Sequence, residues 1–490
     1  MLYDGATVMP ADYKWREIVD LPEDANSLTN NELQPLHRIW VAQKDTLADQ
    51  RVIEEFNRQL RREWAIETGS IEGVYVVDRG VTQSLIEHGI NASLIPHQAN
   101  NKTREHVAMI IQDHADVLEG LFDFVKGERA LTPGYIKELH AALLRHQDTV
   151  TVVDQFGRQF EKELQKGAYK ITPNNPKRED GSMHEYCPPE HVASEMDRLV
   201  AWHQSHIQRA VPPEVEAAWL HHAFTQIHPF EDGNGRVARA ISSLILIKAG
   251  WFPLVIKLEE KAKYIDALEC ADAGDLRPLI SMFTAVQRRL FLAGFDLAYR
   301  VRPPETIDAA VTSARDLLIG MGGTIPKEWS RAKEVAQYLY TRAARRLDYA
   351  VKKLQAEIAS VRPDFTFYRT GGSPLSRDEE IIQVAGELHY SANLSGYDQL
   401  SQLIFTTSKS AALVISFHEV GASYRGIIGV SAFFQVEGDK AVPVCDEFFQ
   451  INYEEEQSQA EARFDPWLET SVVRGLTLWQ RTLLGEVGPR

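Results

Sequence analysis

The chain has 490 residues, 44% of them apolar and 25% charged, with 53 basic against 69 acidic residues and a net charge of −16. Its length exceeds a single hydrophobic core and its composition is that of an ordinary globular protein, while the acidic balance argues against a nucleic-acid binder. Three widely spaced cysteines (Cys187, Cys270 and Cys445) exclude a disulfide framework and point to a reducing compartment.

The first residues, Met-Leu-Tyr-Asp-Gly-Ala, have neither a basic n-region nor an apolar h-region, so no signal peptide is expected. Residues 1–30, with Pro10 and Pro22, read as an irregular lead-in. Val52, Ile53, Phe56 and Leu60, three and four apart, predict a helix over about residues 32–68, interrupted at Gly69 and Gly73. Helices are predicted over 103–126 and 132–146, the second with Thr132 as N-cap and Pro133 at its first position. Residues 150–153 read as extended and 170–185 as a loop. Helical periodicity returns over 189–208, 212–227 and 235–249, where Gly250 stops it. It resumes over 261–271 and 276–295. The most apolar stretch, Ala240 to Leu258, is broken by Lys248, Gly250 and Pro253 and does not read as a membrane span. A cytoplasmic protein is the expectation.

Val301-Arg-Pro-Pro-Glu305 marks a boundary, followed by helical patterns over 307–319 and 334–361. The segment 378–452 is rich in β-branched and aromatic residues, as in Leu413-Val-Ile-Ser-Phe417, and predicts strands. The expected fold is mainly α. An N-terminal helical region (1–99) precedes a helical core (100–298), a helical linker (299–371) and a small α+β C-terminal domain (372–490).

One string concentrates the chemistry: His228-Pro-Phe-Glu-Asp-Gly-Asn-Gly-Arg-Val-Ala-Arg239. Gly233-Asn234-Gly235 opens an amphipathic helix, so backbone N–H groups and the helix dipole converge on one point, an anion site. Arg236 and Arg239 share a face and lean toward the helix N-terminus, two planar forks suited to phosphate oxygens. Asp232 is of the type that holds Mg²⁺ beside phosphates, and helix N-capping is its structural alternative. His228, if neutral, can take a proton from a hydroxyl. Phe230 reads as a core anchor.

The string is similar, at every specified position, to the Fic family motif HxFx(D/E)GNGRxxR. Residues 130–140, Gly167-Ala-Tyr-Lys170, and Tyr264 to Leu268 with Gly274-Asp275 also resemble that family, so the resemblance covers roughly residues 60–295. It implies a Fic-type helical core with a β-hairpin flap over 170–186. The implied reaction is transfer of AMP from ATP to a Ser, Thr or Tyr hydroxyl of a target protein, or of the chain itself, releasing pyrophosphate. By the same resemblance His228 is the base and Asp232 holds Mg²⁺ on the α- and β-phosphates. Gly233, Asn234 and Gly235 form the anion hole, Arg236 clamps the phosphates and Arg239 binds the γ-phosphate. The flap docks the target as an added strand. Phosphorylating relatives carry lysine where Gly235 stands, so Gly235 favours AMP transfer. Dimers occur in the family, and a homodimer stays open.

Thr68-Gly-Ser-Ile-Glu72-Gly73 resembles the family's inhibitory motif, (S/T)xxxE(G/N), which implies that Glu72 pairs with Arg239 and takes the γ-phosphate subsite. From the residues alone it is a helix end capped by Gly73, a compatible reading. Gly69, a poor helix former, predicts a loosely held brake. His221 and His222 with His228 lack the further ligands of a zinc site. Arg342, Arg345 and Arg346 with Lys352 and Lys353 form a basic helix face, read as solvated surface rather than a DNA contact. The expected function is an autoinhibited protein adenylyltransferase using Mg²⁺ and ATP. A deAMPylase using the same site and a nucleotide-sensing scaffold are the alternatives. The target and the base pocket are not legible.

Overall fold

Threonine and aspartate caps start several helices that build the core. Thr103 and Thr132 accept from the backbone N–H of His106 (3.2 Å) and Tyr135 (3.1 Å), and Asp78 accepts from Val81 (3.0 Å). In the computed structural model the described residues are 13–29, 31–46, 50–96, 102–127, 129–153, 158–176, 182–295, 297, 327–358, 360–372, 377–407, 409–421 and 424–484. The boundary at 301–305, the helix expected over 307–319 and residues 177–181 of the expected flap lie outside them. The chain divides into two units, Met1–Leu33 with Ile53–Leu290 and Gln34–Val52 with Phe291–Arg490. Helices dominate, as expected.

Helix α1 (Leu33–Thr46) falls in the second unit from Gln34 on; the first holds most of α2 (Gln50–Ile71), α3 (Arg79–His88), α4 (Arg104–Lys126), α5 (Pro133–Leu143), α6 (Pro189–Gln208), α7 (Pro213–Ile227), α8 (Asn234–Lys248), α9 (Lys261–Asp272) and most of α10 (Arg277–Phe295). From Arg236 to Ile247 every residue of α8 is buried, so this helix runs through the core, packed on α4, α5 and α7. The described part of the irregular lead-in, 13–29, is fastened to the helices. Ile18 N donates to Glu195 Oε2 at 2.9 Å, Trp219 Nε1 to Val19 O at 2.8 Å, and His206 bridges Glu216 and Asp20 at 2.6 Å each.

A regular hairpin, β1 (Thr149–Val153) with β2 (Gln159–Glu163), lies upstream of the segment expected to form one. Among its described residues, 170–186 carries isolated bridges at Met183 and His184, the latter parallel with Tyr13. Pro173 and Pro176 lack the N–H groups that a ladder requires.

The second unit is a six-stranded antiparallel sheet: β3 (Thr366–Gly372), β4 (Ala392–Thr406), β5 (Ser410–Val420), β6 (Ile427–Val436) and β7 (Val442–Pro443), with β8 (Phe449–Asn452) also on β6. Alternation along β5 sends Leu413, Ile415 and Phe417 into a core with α11 (Ser330–Ile358) and α13 (Gln457–Leu483). Ala412 and Val414 face Ile381 and Val384 of α12 (Asp378–Glu387). The basic run on α11 is not simply solvated. Arg342 pairs with Glu461 (2.9 Å) and bonds Asp465 (3.0 Å), and Arg346 bonds Glu469 (2.7 Å), all on α13. Among the described residues no helix is long and apolar enough to cross a membrane.

Candidate active site

Helix α7 ends at His228, whose backbone is left-handed (φ 49°, ψ 59°). A residue with a Cβ holds that conformation only where its surroundings enforce it. The ring Nδ1 lies 3.3 Å from the Thr225 carbonyl. A carbonyl only accepts, so Nδ1 carries the proton and Nε2 is left as an acceptor. Tyr186 stacks on the ring at 3.7 Å. Burial first, and the Lys170 ammonium second, push the imidazole down to about 3, so it is neutral at neutral pH.

The loop after His228 is held from inside. Asn234 Oδ1 accepts from Phe230 N (2.9 Å) and its Nδ2 donates to Phe230 O (2.8 Å). The Asn234 side chain therefore shapes the loop, and the backbone N–H groups of the first α8 turn head the helix. Gly233 turns the chain at φ 78°, where a Cβ would stand 2.7 Å from Leu144 Cδ1. His140 stacks on Phe230 at 3.9 Å and accepts from Gly167 N at Nδ1 (2.8 Å), so its Nε2 donates to Asp232 O (3.0 Å).

Arg236, 1% exposed, donates to Gln147 Oε1 (2.8 Å) and Asp232 Oδ2 (3.2 Å), and Gln147 Nε2 donates to the same carboxylate oxygen (2.6 Å). Burial works against ionisation of Asp232, but Arg236, the Gly233 N–H and Gln147 outweigh it and hold the carboxyl below its usual range. The buried Arg236 Nε meets no protein acceptor among the described residues. A buried cationic N–H left in that state costs about 1–3 kcal/mol, and an incoming anion would recover it.

Arg239, also 1% exposed, is engaged by the end of α2: its Nε donates to Thr68 Oγ1 (2.7 Å), and its Nη2 to Thr68 O (2.9 Å) and Glu72 Oε1 (2.8 Å). Val74 N donates to Gly69 O and Gly73 N to Ser70 O, each at 3.0 Å, with Gly73 at φ 68°. That is a Schellman ending, and it fixes Glu72 at the C-cap, directly after the last helical residue, Ile71. The cap and the contact with Arg239 coexist. A Cβ at Gly235 would stand 2.2 Å from Glu72 Oε1, so the bare backbone there is what admits the carboxylate.

Gly69 overturns the expectation of a loosely held helix end. Tyr75 folds back over it and donates to Ala65 O and Ile66 O, both at 3.0 Å, and a Cβ at Gly69 would stand 2.3 Å from the Tyr75 hydroxyl oxygen. The glycine makes room for a lock. Gly69→Ala is expected to lower stability by about 1–3 kcal/mol through overpacking and to separate Glu72 from Arg239. Thermal denaturation checks the first; a melting temperature equal to the wild type refutes it.

His221 bonds Ser242 (3.0 Å) and Tyr264 (2.6 Å), and His222 bonds Asp272 (3.0 Å). Among the described residues no group of three or more His, Cys, Asp or Glu side chains can hold a metal. Near the Tyr186–His228 stack lies a cavity of about 230 Å³, lined in part by His184, Tyr186, Gln226, Ile265, Leu268 and Asp272.

The structure brings His228, Asp232, Gly233, Asn234, Gly235, Arg236 and Arg239 together around the mouth of α8, with Thr68, Glu72 and Gly73 closing over Arg239. Sequence reasoning missed Gln147, His140, Tyr186 and Lys170. His140 and Lys170 lie in stretches that carry the family resemblance, the only available pointer. Gln147 follows a helix end with no pattern around it.

Comparison with known proteins bears on the same segment. Residues 130–246 match the model of the Fic/DOC family. The chain is 37% identical over 92 residues to protein adenylyltransferase fic-1 of Caenorhabditis briggsae, 19% of this chain and 18% of that protein. The corresponding protein of Caenorhabditis elegans is 36% identical over 92 residues, with the same coverage. The matched part is thus under a fifth of the length of these relatives. A solved Fic domain-containing signalling protein from Bacteroides thetaiotaomicron is 22% identical with a TM-score of 0.44, over 54% of this chain and 97% of that one.

Proposed function

We propose that the chain, which carries a Fic domain over residues 130–246, is a protein adenylyltransferase restrained by its own Glu72. His228 Nε2 takes the proton from a target Ser, Thr or Tyr hydroxyl as the hydroxyl oxygen bonds the α-phosphorus of ATP, and pyrophosphate leaves. The observation that carries this reading is the neutral His228, its Nδ1 committed to Thr225 O, at the head of a loop that ends in two buried arginines. Arg236 and the N–H groups of α8 bind phosphate oxygens, and Arg239 takes the γ-phosphate once Glu72 withdraws.

Asp232, ionised and 32% exposed, fits Mg²⁺, which takes few protein ligands beside phosphate oxygens and water. When bound, the ion offsets charge on the phosphates. Ile265 and Leu268 give the 230 Å³ cavity an apolar wall for a base, and Gln226 and Asp272 give it hydrogen-bonding groups. The segment 170–186, with Ile171 85% exposed, is the docking strip for a target. The deAMPylase reading keeps one support: Glu72 is a carboxylate 28% exposed within the site, able to orient a water.

Incubating the Glu72→Gly variant with ATP labelled on either the α- or the γ-phosphate tests the reaction class. Protein-bound α label without γ label is the expected result; retained γ label defeats the proposal in favour of phosphoryl transfer. Release of AMP from a modified protein by the wild type, and not by the variant, supports the reverse reaction instead.

A further inference from the structure

Lys170 has no part in the chemistry above, yet it is 5% exposed and lies against the loop that presents His228. Its backbone N–H donates to Pro229 O (2.8 Å). Its Nζ donates to Asn174 Oδ1 (2.7 Å) and Ile227 O (3.4 Å), and Asn174 Nδ2 donates to Phe230 O (2.8 Å). The carbonyls of residues 227, 229 and 230, on both sides of His228, are thus held by one lysine and the asparagine it orients. They bracket the left-handed turn at His228, which has no glycine to relax it.

The ammonium also lies 5.7 Å from the centroid of the Tyr186 ring, the ring stacked on His228. After burial, Lys170 is the largest influence disfavouring the imidazolium. The other groups that act on the His228 ring are Asp232 and the Thr225 carbonyl, which favour its protonation, and His184, which opposes it. Burial pushes the lysine down to about 8, and the neighbouring Cys187 thiol works against that shift, so the ammonium is charged at neutral pH. Burying a cation is costly, and an apolar side chain would fill the volume without that cost.

We propose that Lys170 is a positioning residue for His228: it pins the loop carbonyls on either side of the histidine and sets a positive charge against the ring, keeping the imidazole an acceptor. This rests on reading His228 as the base, but its decisive test needs no turnover. In full-length protein with ¹³C-labelled histidine rings, the His228 signal is identified by its loss in His228→Ala and followed from neutral pH downward as far as the fold holds. A nearby cation disfavours protonation, so its removal raises the pH at which the imidazolium forms. In Lys170→Met the imidazolium is expected to emerge about one pH unit higher than in the wild type, and in Lys170→Arg at the wild-type position. Lys170→Gln, which keeps a donor to Asn174 and loses the charge, is the second variant and is expected to shift as the methionine variant does. No difference between charged and neutral side chains at 170 overturns the proposal. In the Glu72→Gly background, the acidic limb of the pH–rate profile moves up with Lys170→Met while the KM for ATP holds. Absence of transfer from Glu72→Gly itself tells against the adenylyltransferase reading and leaves the ring titration to decide the role of Lys170.

Discussion

His228→Ala, made in the Glu72→Gly background, is expected to lower AMP incorporation by about 10²–10⁴-fold, the usual contribution of a positioned general base. The geometry makes the effect specific. The Thr225 carbonyl fixes the tautomer, Tyr186 fixes the ring plane, and burial with Lys170 keeps the ring neutral. A water in the vacated space can accept a proton, but nothing orients it as the ring is oriented. Initial rates with α-labelled ATP at saturating Mg²⁺ measure the loss, and ATP affinity, read by thermal shift, should stay within a few-fold because the phosphates meet other residues. A variant retaining a tenth or more of the parent rate would remove His228 from the chemistry.

Glu72→Gly is expected to raise self-modification by about 10- to 100-fold. The contact it removes is a charge-assisted hydrogen bond to a buried guanidinium, worth about 1.5–3 kcal/mol, and occupation of the γ-phosphate subsite is lost with it. The same change leaves the buried Arg239 side chain with its two hydrogen bonds to Thr68. The variant should therefore melt earlier than the wild type, since an ion-pair partner of a buried charge has gone. Mg²⁺ with ATP should then restore more stability to the variant than it adds to the wild type, because a phosphate replaces the missing carboxylate. Equal incorporation by both proteins would show that Glu72 does not restrain the site, whatever the melting temperatures.

The parts of the fold legible in the sequence were those with local causes. Thr132-Pro133 starts α5, Gly73 ends α2, and the three-and-four spacing of Val52, Ile53, Phe56 and Leu60 falls on α2, although the run reads as one helix over 32–68 where the structure has α1 and α2. The motif residues were equally legible, because a loop heading a helix puts neighbours in sequence around one anion. What stayed hidden depends on distant pairings. Gln147 reaches Asp232 across 85 positions, and Lys170 reaches Ile227 across 57. Nothing near Gln147 or Lys170 marks those partners in advance. Gly69 misled because helix propensity describes an isolated helix, whereas Tyr75 returning over the glycine is a tertiary contact. The β1–β2 hairpin is only half legible, as an extended run at 150–153, because its return strand, Gln159 to Glu163, alternates charged and polar residues with a single phenylalanine and carries no apolar signal. Helix α13 carries Pro466 in its interior, a residue that ordinarily ends a helix.

The bare backbone at Gly235 gives the chain a second route to release. A methyl group there would stand 2.2 Å from the Glu72 carboxylate and 3.2 Å from Arg239 Nη1. In the proposed reading, position 235 bears on both restraint and nucleotide handling, whereas position 72 bears on restraint alone. A single codon change at 235 would displace the Glu72 carboxylate without altering residue 72, while also altering the first turn of α8, the proposed phosphate site. Spontaneous mutants selected for escape from inhibition should therefore arise freely at 72. Those at 235 should be rare, and altered in how they hold ATP.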